Sequence, residues 1–259
     1  MINLHGKRAI VCGSSQGIGR AAAMLLAQQG AAVTLVARDE AALAKVLAAL
    51  PAGAAHACIV ADSSRPAELQ SAVAEHLAAA GPAHILVNNT GGPASGPILD
   101  AKPEDFLNAM QMHVVCNQLL VQAVVPGMKQ AGYGRIINII STSVREPIPG
   151  LGVSNTTRWA VAAWAKTLSR ELGPFGITVN NVLPGYTDTG RLRSLFEARA
   201  KREGRTPEQV AEETMKAVPA ARFGRPEEIA AAIAFLASAE AAYVNGINLP
   251  VDGGRLGSM

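Results

Sequence analysis

Cysteine is scarce in this chain. The three thiols, Cys12, Cys58 and Cys116, lie in apolar surroundings without metal-ligand spacing and cannot form an even-numbered disulfide framework. They read as small core residues of a protein kept in a reducing compartment, and no metal is expected. No block of like charge is present either: 23 basic and 20 acidic residues are scattered along the chain for a formal net charge of +3. Without a basic run to track a phosphate backbone, a nucleic-acid partner is not expected. Apolar runs of membrane-spanning length are missing, and the start MINLHGKRAIVCG leads straight into a strand pattern instead of a signal-peptide core. Repeats, low-complexity tracts and linkers are absent as well. What remains is a soluble cytoplasmic protein without a membrane partner.

What is present is apolar and alternating. Of 259 residues, 49% are hydrophobic and 17% charged, enough to bury a large core within one α/β domain. Short apolar runs, RAIVCG, AAVTLVA, AHACIVA, HILVNN, GRIINII, GITVNNVLP and GINLPV, read as strands. Between them the pattern predicts helices near 18–29, 39–49, 66–80, 103–130, 152–172 and 226–238, several opened by Asp, Ser or Pro. Such alternation is the mark of βα units around a parallel sheet. The exception is 186–220, charged and strandless, which reads either as a helical flap of the kind that covers active sites or as a solvated surface excursion.

The first chemical motif is GSSQGIG, Gly13 to Gly19, following a strand and opening a helix. In that setting the glycines permit a tight turn and close approach of a pyrophosphate, while the helix start offers unpaired N–H donors.

With NNTGG at 88–92, GRIINIIS ending in Ser141, RELGPFGITVNNVLPG at 170–185, RFGRPEEIA and VDGG, the chain resembles the short-chain dehydrogenase/reductase family over nearly its whole length. The resemblance implies one doubly wound, Rossmann-type domain with seven parallel strands flanked by helices. It also implies a nicotinamide cofactor across the strand carboxyl ends, a small-molecule substrate, and self-association as a tetramer or dimer. By the same resemblance Gly13, Ser15, Gln16, Gly17, Ile18 and Gly19 hold the pyrophosphate, Asp62 faces the adenine, and Asn89 to Gly91 line the ribose. Pro184, Gly185, Thr187 and Thr189 border the nicotinamide. After the second strand the family places an acid when the ribose 2′-hydroxyl is free. Here Ala37 and Arg38 stand there, so a guanidinium awaits a 2′-phosphate and NADP(H) is expected over NAD(H). The bland alternative is that Arg38 is a surface residue at a helix start.

The resemblance breaks at the catalytic positions. Ser141 matches the family's serine, but thirteen residues on stands Ser154 where the tyrosine belongs, and Arg158 takes the place of the lysine. His113 occupies the position of the family's helix asparagine. A serine hydroxyl lies far from neutrality in pKa, and a guanidinium does not usefully release a proton, so this pair can bind, orient or polarise but hardly shuttle protons. Arg158 can hold the cofactor ribose or clamp a carboxylate. If proton transfer survives, His113 is the first candidate, because imidazole titrates near working pH and this position would aim it toward Ser141. Tyr186, after the LPG turn, is the second. A satisfied core histidine and an aromatic that only packs are the plain alternatives. Arg145 adds a positive charge at the rim and points to an anionic substrate, or is an ordinary solvated arginine.

Three functions stay open: an oxidoreductase of an atypical subgroup, a cofactor-binding sensor or structural subunit without redox turnover, and a non-redox enzyme such as a lyase or dehalogenase in the same cleft.

Overall fold

The computed structural model describes residues 2–257. Seven strands, β1 (Arg8–Cys12), β2 (Ala32–Ala37), β3 (Ala57–Val60), β4 (Ile85–Asn88), β5 (Gly134–Ile139), β6 (Ile177–Pro184) and β7 (Asn248–Val251), form one sheet in the order β3-β2-β1-β4-β5-β6-β7. Every pairing is parallel. The order reverses between β1 and β4, and such a switch point opens a crevice at the strand carboxyl ends.

Nine α-helices of the described residues cover the sheet: α1 (Gly17–Gln28), α2 (Glu40–Ala49), α3 (Pro66–Ala80), α4 (Pro103–Met110), α5 (Cys116–Ala131), α6 (Gly152–Leu172), α7 (Gly190–Glu203), α8 (Pro207–Lys216) and α9 (Pro226–Ala237). Because successive strand residues face opposite ways, each strand feeds two cores. Val11, Ile137 and Val182 pack against Ala22, Leu26, Ile233 and Ala234 of α1 and α9. Ile10, Ile136 and Val179 pack against Leu69, Leu120, Val124 and Leu172 of α3, α5 and α6 on the other face. The central strands are therefore apolar at nearly every position, as burial on both faces demands.

Two expectations are corrected. The helix predicted over 103–130 is interrupted by a π-helical turn, Gln111–Val115, a device often found at functional sites. Cys58 is exposed while Cys12 and Cys116 are buried, because β3 is the sheet's outer strand and alternate residues on it meet solvent. The charged stretch after β6 does form helices, and α7 and α8 are joined by Arg199 and Arg205, which each pair with Glu203 and Glu213.

Within this apolar sheet runs one polar line. Asn88 donates to Asn138 at 2.8 Å, Asn138 to Asn181 at 2.9 Å, and Asn181 to Asn248 at 2.8 Å, each pair in register on neighbouring strands. The ladder runs from the carboxyl ends of β4 and β5 through the middle of β6 to the first residue of β7, and it pins the register of these four strands. Replacing Asn138 by Ala should leave a buried donor on Asn88 and a buried acceptor on Asn181. The expected loss is roughly 2–4 kcal/mol, read from urea unfolding. Asn248→Ala, which leaves only the buried Asn181 donor without a partner, should cost less, roughly 1–2 kcal/mol.

Candidate active site

The crevice begins at the glycine turn between β1 and α1. Gly13 has φ +62°, and a Cβ there would lie 2.5 Å from the Asn89 carbonyl oxygen, so only glycine fits so close to the end of β4. Asn89 stitches the two segments by donating to the carbonyls of Cys12 and Gly13 at 3.2 and 3.3 Å. Ser14, which the sequence reading passed over, ties the turn to β2 through Val36. Gln16 is the N-cap of α1, yet its side chain caps nothing, and the first turn carries no acid. The amides at this helix start are thus left for an anion from outside, the arrangement a pyrophosphate requires. Ser15 and Ile18 are half-buried beside them. A side chain at Gly91 would meet nothing within 4 Å, so the crevice is open there.

From above, the start of α7 approaches the same turn. Thr189 caps α7 by accepting from Leu192, and its methyl lies 3.2 Å from where a Cβ on Gly17 would stand. Thr187 donates to the Gly185 carbonyl at 3.2 Å, holding the bend after Pro184. At the far end of the crevice Arg38 leaves β2 with a largely exposed guanidinium, 3.8 Å from Asp62. An exposed pair at that distance is weak and separates readily for a third charge.

The interior of the site is built around Arg158. It lies one turn after Ser154 on α6, is 8% exposed, and donates to the carbonyls of Ile139 at 2.9 Å and Thr90 at 3.4 Å. No carboxylate pairs with it among the described residues. Burial, and secondarily the Arg191 charge, push its pKa down to about 10. Thr90 meets His113 in turn, with 2.5 Å between Thr90 Oγ1 and His113 Nδ1. His113 is 1% exposed in the π-helical turn, and its Nε2 is buried without a partner. Arg191 of α7 reaches across to the Pro93 carbonyl, closing the flank.

The expectation that His113 titrates near working pH is corrected. Burial first, then the charges of Arg158 and Arg191, depress the imidazole pKa to about 2. No hydrogen bond links it to Ser141, whose Oγ instead accepts from Ser143 at 3.0 Å as the cap of a short 3₁₀ turn. The Ser154 hydroxyl is half-buried and makes no hydrogen bond among the described residues. Tyr186 packs edge-on to Phe223, with Arg255 over its ring, and Arg255 also donates to Thr142. The structure thus joins Arg158 and His113 through Thr90, and Gly13, Gly17, Asn89 and Thr189 around the turn. Tyr186 stands on the other side of Arg255. Sequence reasoning placed Thr90 within NNTGG but missed its bridge to His113, and it missed the reach of Arg191 altogether; only the fold brings both to the buried arginine.

Fold and crevice define the class: a Rossmann-type α/β domain with an anion-ready glycine turn at the switch point of its sheet. The chain belongs to the short-chain dehydrogenase/reductase family, since residues 13–255 match the family model described as enoyl-(acyl carrier protein) reductase. It is 35% identical over 255 residues to the 3-oxoacyl-[acyl-carrier-protein] reductase FabG of Vibrio cholerae, with 98% of each chain covered. Among solved structures it resembles L-sorbose reductase from Gluconobacter frateurii, complexed with NADPH and L-sorbose. There the TM-score is 0.92 and identity 31%, with 100% of this chain and 99% of that one covered. An NAD⁺-bound xylitol dehydrogenase is similar at TM-score 0.91 and 29% identity, covering 97% and 99%.

The neutral imidazole has a consequence for stability. Its pKa is lower folded than unfolded (about 6.5), so below that pH the unfolded chain binds a proton that the folded chain refuses. The stability due to neutral His113 is therefore complete above about pH 6.5 and is lost as pH falls, by roughly 1.4 kcal/mol per unit. Between pH 7 and pH 5 the parent should lose roughly 2 kcal/mol more than His113→Asn in urea unfolding. Equal losses in both proteins would show that this imidazole is not the titrating group.

Proposed function

We propose that this protein is an NADP(H)-dependent oxidoreductase that interconverts a small carbonyl compound and its alcohol, with water and not a tyrosine as the proton source. The observation that carries the reading is the start of α1, where the glycine turn presents amides that no side chain among the described residues caps. Arg38, exposed at the end of β2 with only a long contact to Asp62, supports a 2′-phosphate over a bare ribose. NADPH in the L-sorbose reductase complex agrees with this preference, while the NAD⁺-bound relative marks the competing choice.

The nicotinamide, when bound, would supply or accept the hydride at the substrate's carbonyl carbon. This chain's own residues would act on the oxygen. The hydroxyls of Ser141 and Ser154 donate hydrogen bonds to it as negative charge develops, and the Arg158 fork holds the cofactor ribose or stabilises the same charge from below. Asn89 to Gly91 would line the cofactor's ribose, and Pro184, Gly185, Thr187 and Thr189 would border its nicotinamide. His113 stays neutral, so it can donate or accept a hydrogen bond but does not deliver a proton as imidazolium at pH 7. Tyr186, held by Phe223 and Arg255, shapes the wall under the flap. Helices α7 and α8 would form that flap, covering the crevice from the Thr189 end. Exposed Leu107, Val115 and Trp159 on α4 to α6 support self-association through those helices. A cytoplasmic location fits the reduced cysteines and the lack, among the described residues, of any helix long and apolar enough to cross a membrane.

NADPH fluorescence titration should give saturable binding, and Arg38→Ala should weaken NADPH roughly 10- to 100-fold while leaving NADH nearly unchanged. Loss of NADPH and NADH together would remove Arg38 from the 2′-phosphate role. In a carbonyl panel at single-turnover sensitivity, NADPH consumption is expected, reduced more by Arg158→Met than by Ser154→Ala. Binding without any turnover would instead mark a cofactor-binding protein without redox chemistry.

A further inference from the structure

The turn that follows β7 lies against three segments that flank the crevice. Gly253 and Gly254 take φ of +66° and +84°, which glycine adopts without strain, and Asp252 holds the turn by accepting from the amides of Gly254 at 3.0 Å and Leu256 at 2.9 Å. Gly185, after β6, packs so close that a Cβ on it would stand 2.7 Å from the Asp252 Cα. The Gly253 carbonyl accepts from the Ala220 amide, where the chain returns from α8. Beyond β5, Glu146 accepts from the Gly257 amide at 2.9 Å.

Arg255 stands in the middle of this turn, half-buried and without an ion pair among the described residues. Its Nη1 donates to the Thr142 hydroxyl oxygen at 3.1 Å, and its guanidinium carbon lies 5.2 Å from the centre of the Tyr186 ring, within cation–π range. Tyr186 meets Phe223, which packs on Phe196 of α7. One guanidinium therefore touches both the turn after β5 and the apolar cluster beneath the flap helices. What Thr142 governs is the residue before it. Ser141 is extended and caps the Thr142–Val144 turn, its Oγ accepting from the Ser143 amide at 3.0 Å. A hydroxyl has one proton and two lone pairs; the amide uses one lone pair, and no acceptor among the described residues takes the proton. Ser141 is thus held as a free hydrogen-bond donor. The main chain of its turn is fixed by Trp159, which donates to the Ser143 carbonyl at 3.0 Å, and by the amides of Arg145 and Glu146 on the Thr142 carbonyl. Arg255 is the group that grips the buried Thr142 side chain, with the stronger bond that a charged donor makes.

We infer that Arg255 is a positioning residue: through the Thr142 hydroxyl it fixes the Ser141 cap so that the serine's proton stays available to the substrate oxygen, and through Tyr186 it joins that cap to the flap side of the crevice. The catalytic consequence rests on the function proposed above, whereas the hold on the Ser141 turn does not.

Hydrogen exchange of the 141–146 segment, followed by mass spectrometry on the full chain, tests that hold. Arg255→Met and Thr142→Val should each speed exchange there about tenfold, with Arg255→Lys close to the parent and exchange in β4 and β5 unchanged. Parent-like exchange in Arg255→Met overturns the inference. With a carbonyl substrate that the parent turns over, both variants should lower kcat roughly tenfold while KM and the NADPH Kd stay within about twofold, and Arg255→Lys should recover most of the loss. The double variant Arg255→Met with Thr142→Val should be no slower than either single one, because both cut the same link. Additive losses, or a loss confined to KM or to NADPH affinity, also overturn it. If the parent turns over no carbonyl compound, the oxidoreductase reading fails by itself, and the exchange result still decides whether Arg255 holds the Ser141 turn.

Discussion

One buried guanidinium organises this site. From α6, Arg158 takes hold of the last carbonyl of β5 and the carbonyl of Thr90 beyond β4, so a single side chain ties a helix to the carboxyl ends of two neighbouring strands. Taking that charge out of water is costly, and two carbonyl dipoles repay only part of it. The remaining imbalance shapes the surroundings. It helps hold His113 neutral, it lowers the arginine's own hold on its proton, and it makes the crevice floor positive without any nearby acid in contact.

Beneath the arginine, the asparagine ladder performs a complementary task. Four amides in register across β4 to β7 satisfy one another almost completely, with the Asn88 oxygen left over at one end. A half-satisfied line in so apolar a sheet would be costly, whereas a nearly complete one fixes which residues emerge together at the strand ends. Thr90, Ile139 and the turn after Pro184 are thereby delivered to the same crevice edge. The glycine turn joins them because Gly13 and Asn89 approach too closely for any side chain between them.

Under the proposed function, catalysis would differ from that of a tyrosine–lysine pair. A phenol beside an ammonium offers a proton near neutrality, while the groups gathered here are hydroxyls, a charged guanidinium and an imidazole held far below its usual range. They are suited to orient and to stabilise developing negative charge, and positioning of that kind can carry much of a hydride transfer when water closes the proton balance.

Much of the architecture was legible in the residues themselves. Alternating apolar runs and alanine-rich helices located all seven strands and the main helices, because burial on both faces of a parallel sheet leaves so little room for polar residues. The glycine turn could likewise be read from its place between a strand and a helix, whereas the expectations for Arg38, Ser154 and Arg158 came from the family resemblance that sets their offsets. What the fold alone decided is local environment. The π-helical turn that swings His113 inward, the desolvation that strips it of its titration, the Thr90 bridge and the reach of Arg191 from a distant helix all depend on groups that are far apart in the chain. Charge in a protein interior is set by what surrounds it in three dimensions, and sequence order carries no record of those distances.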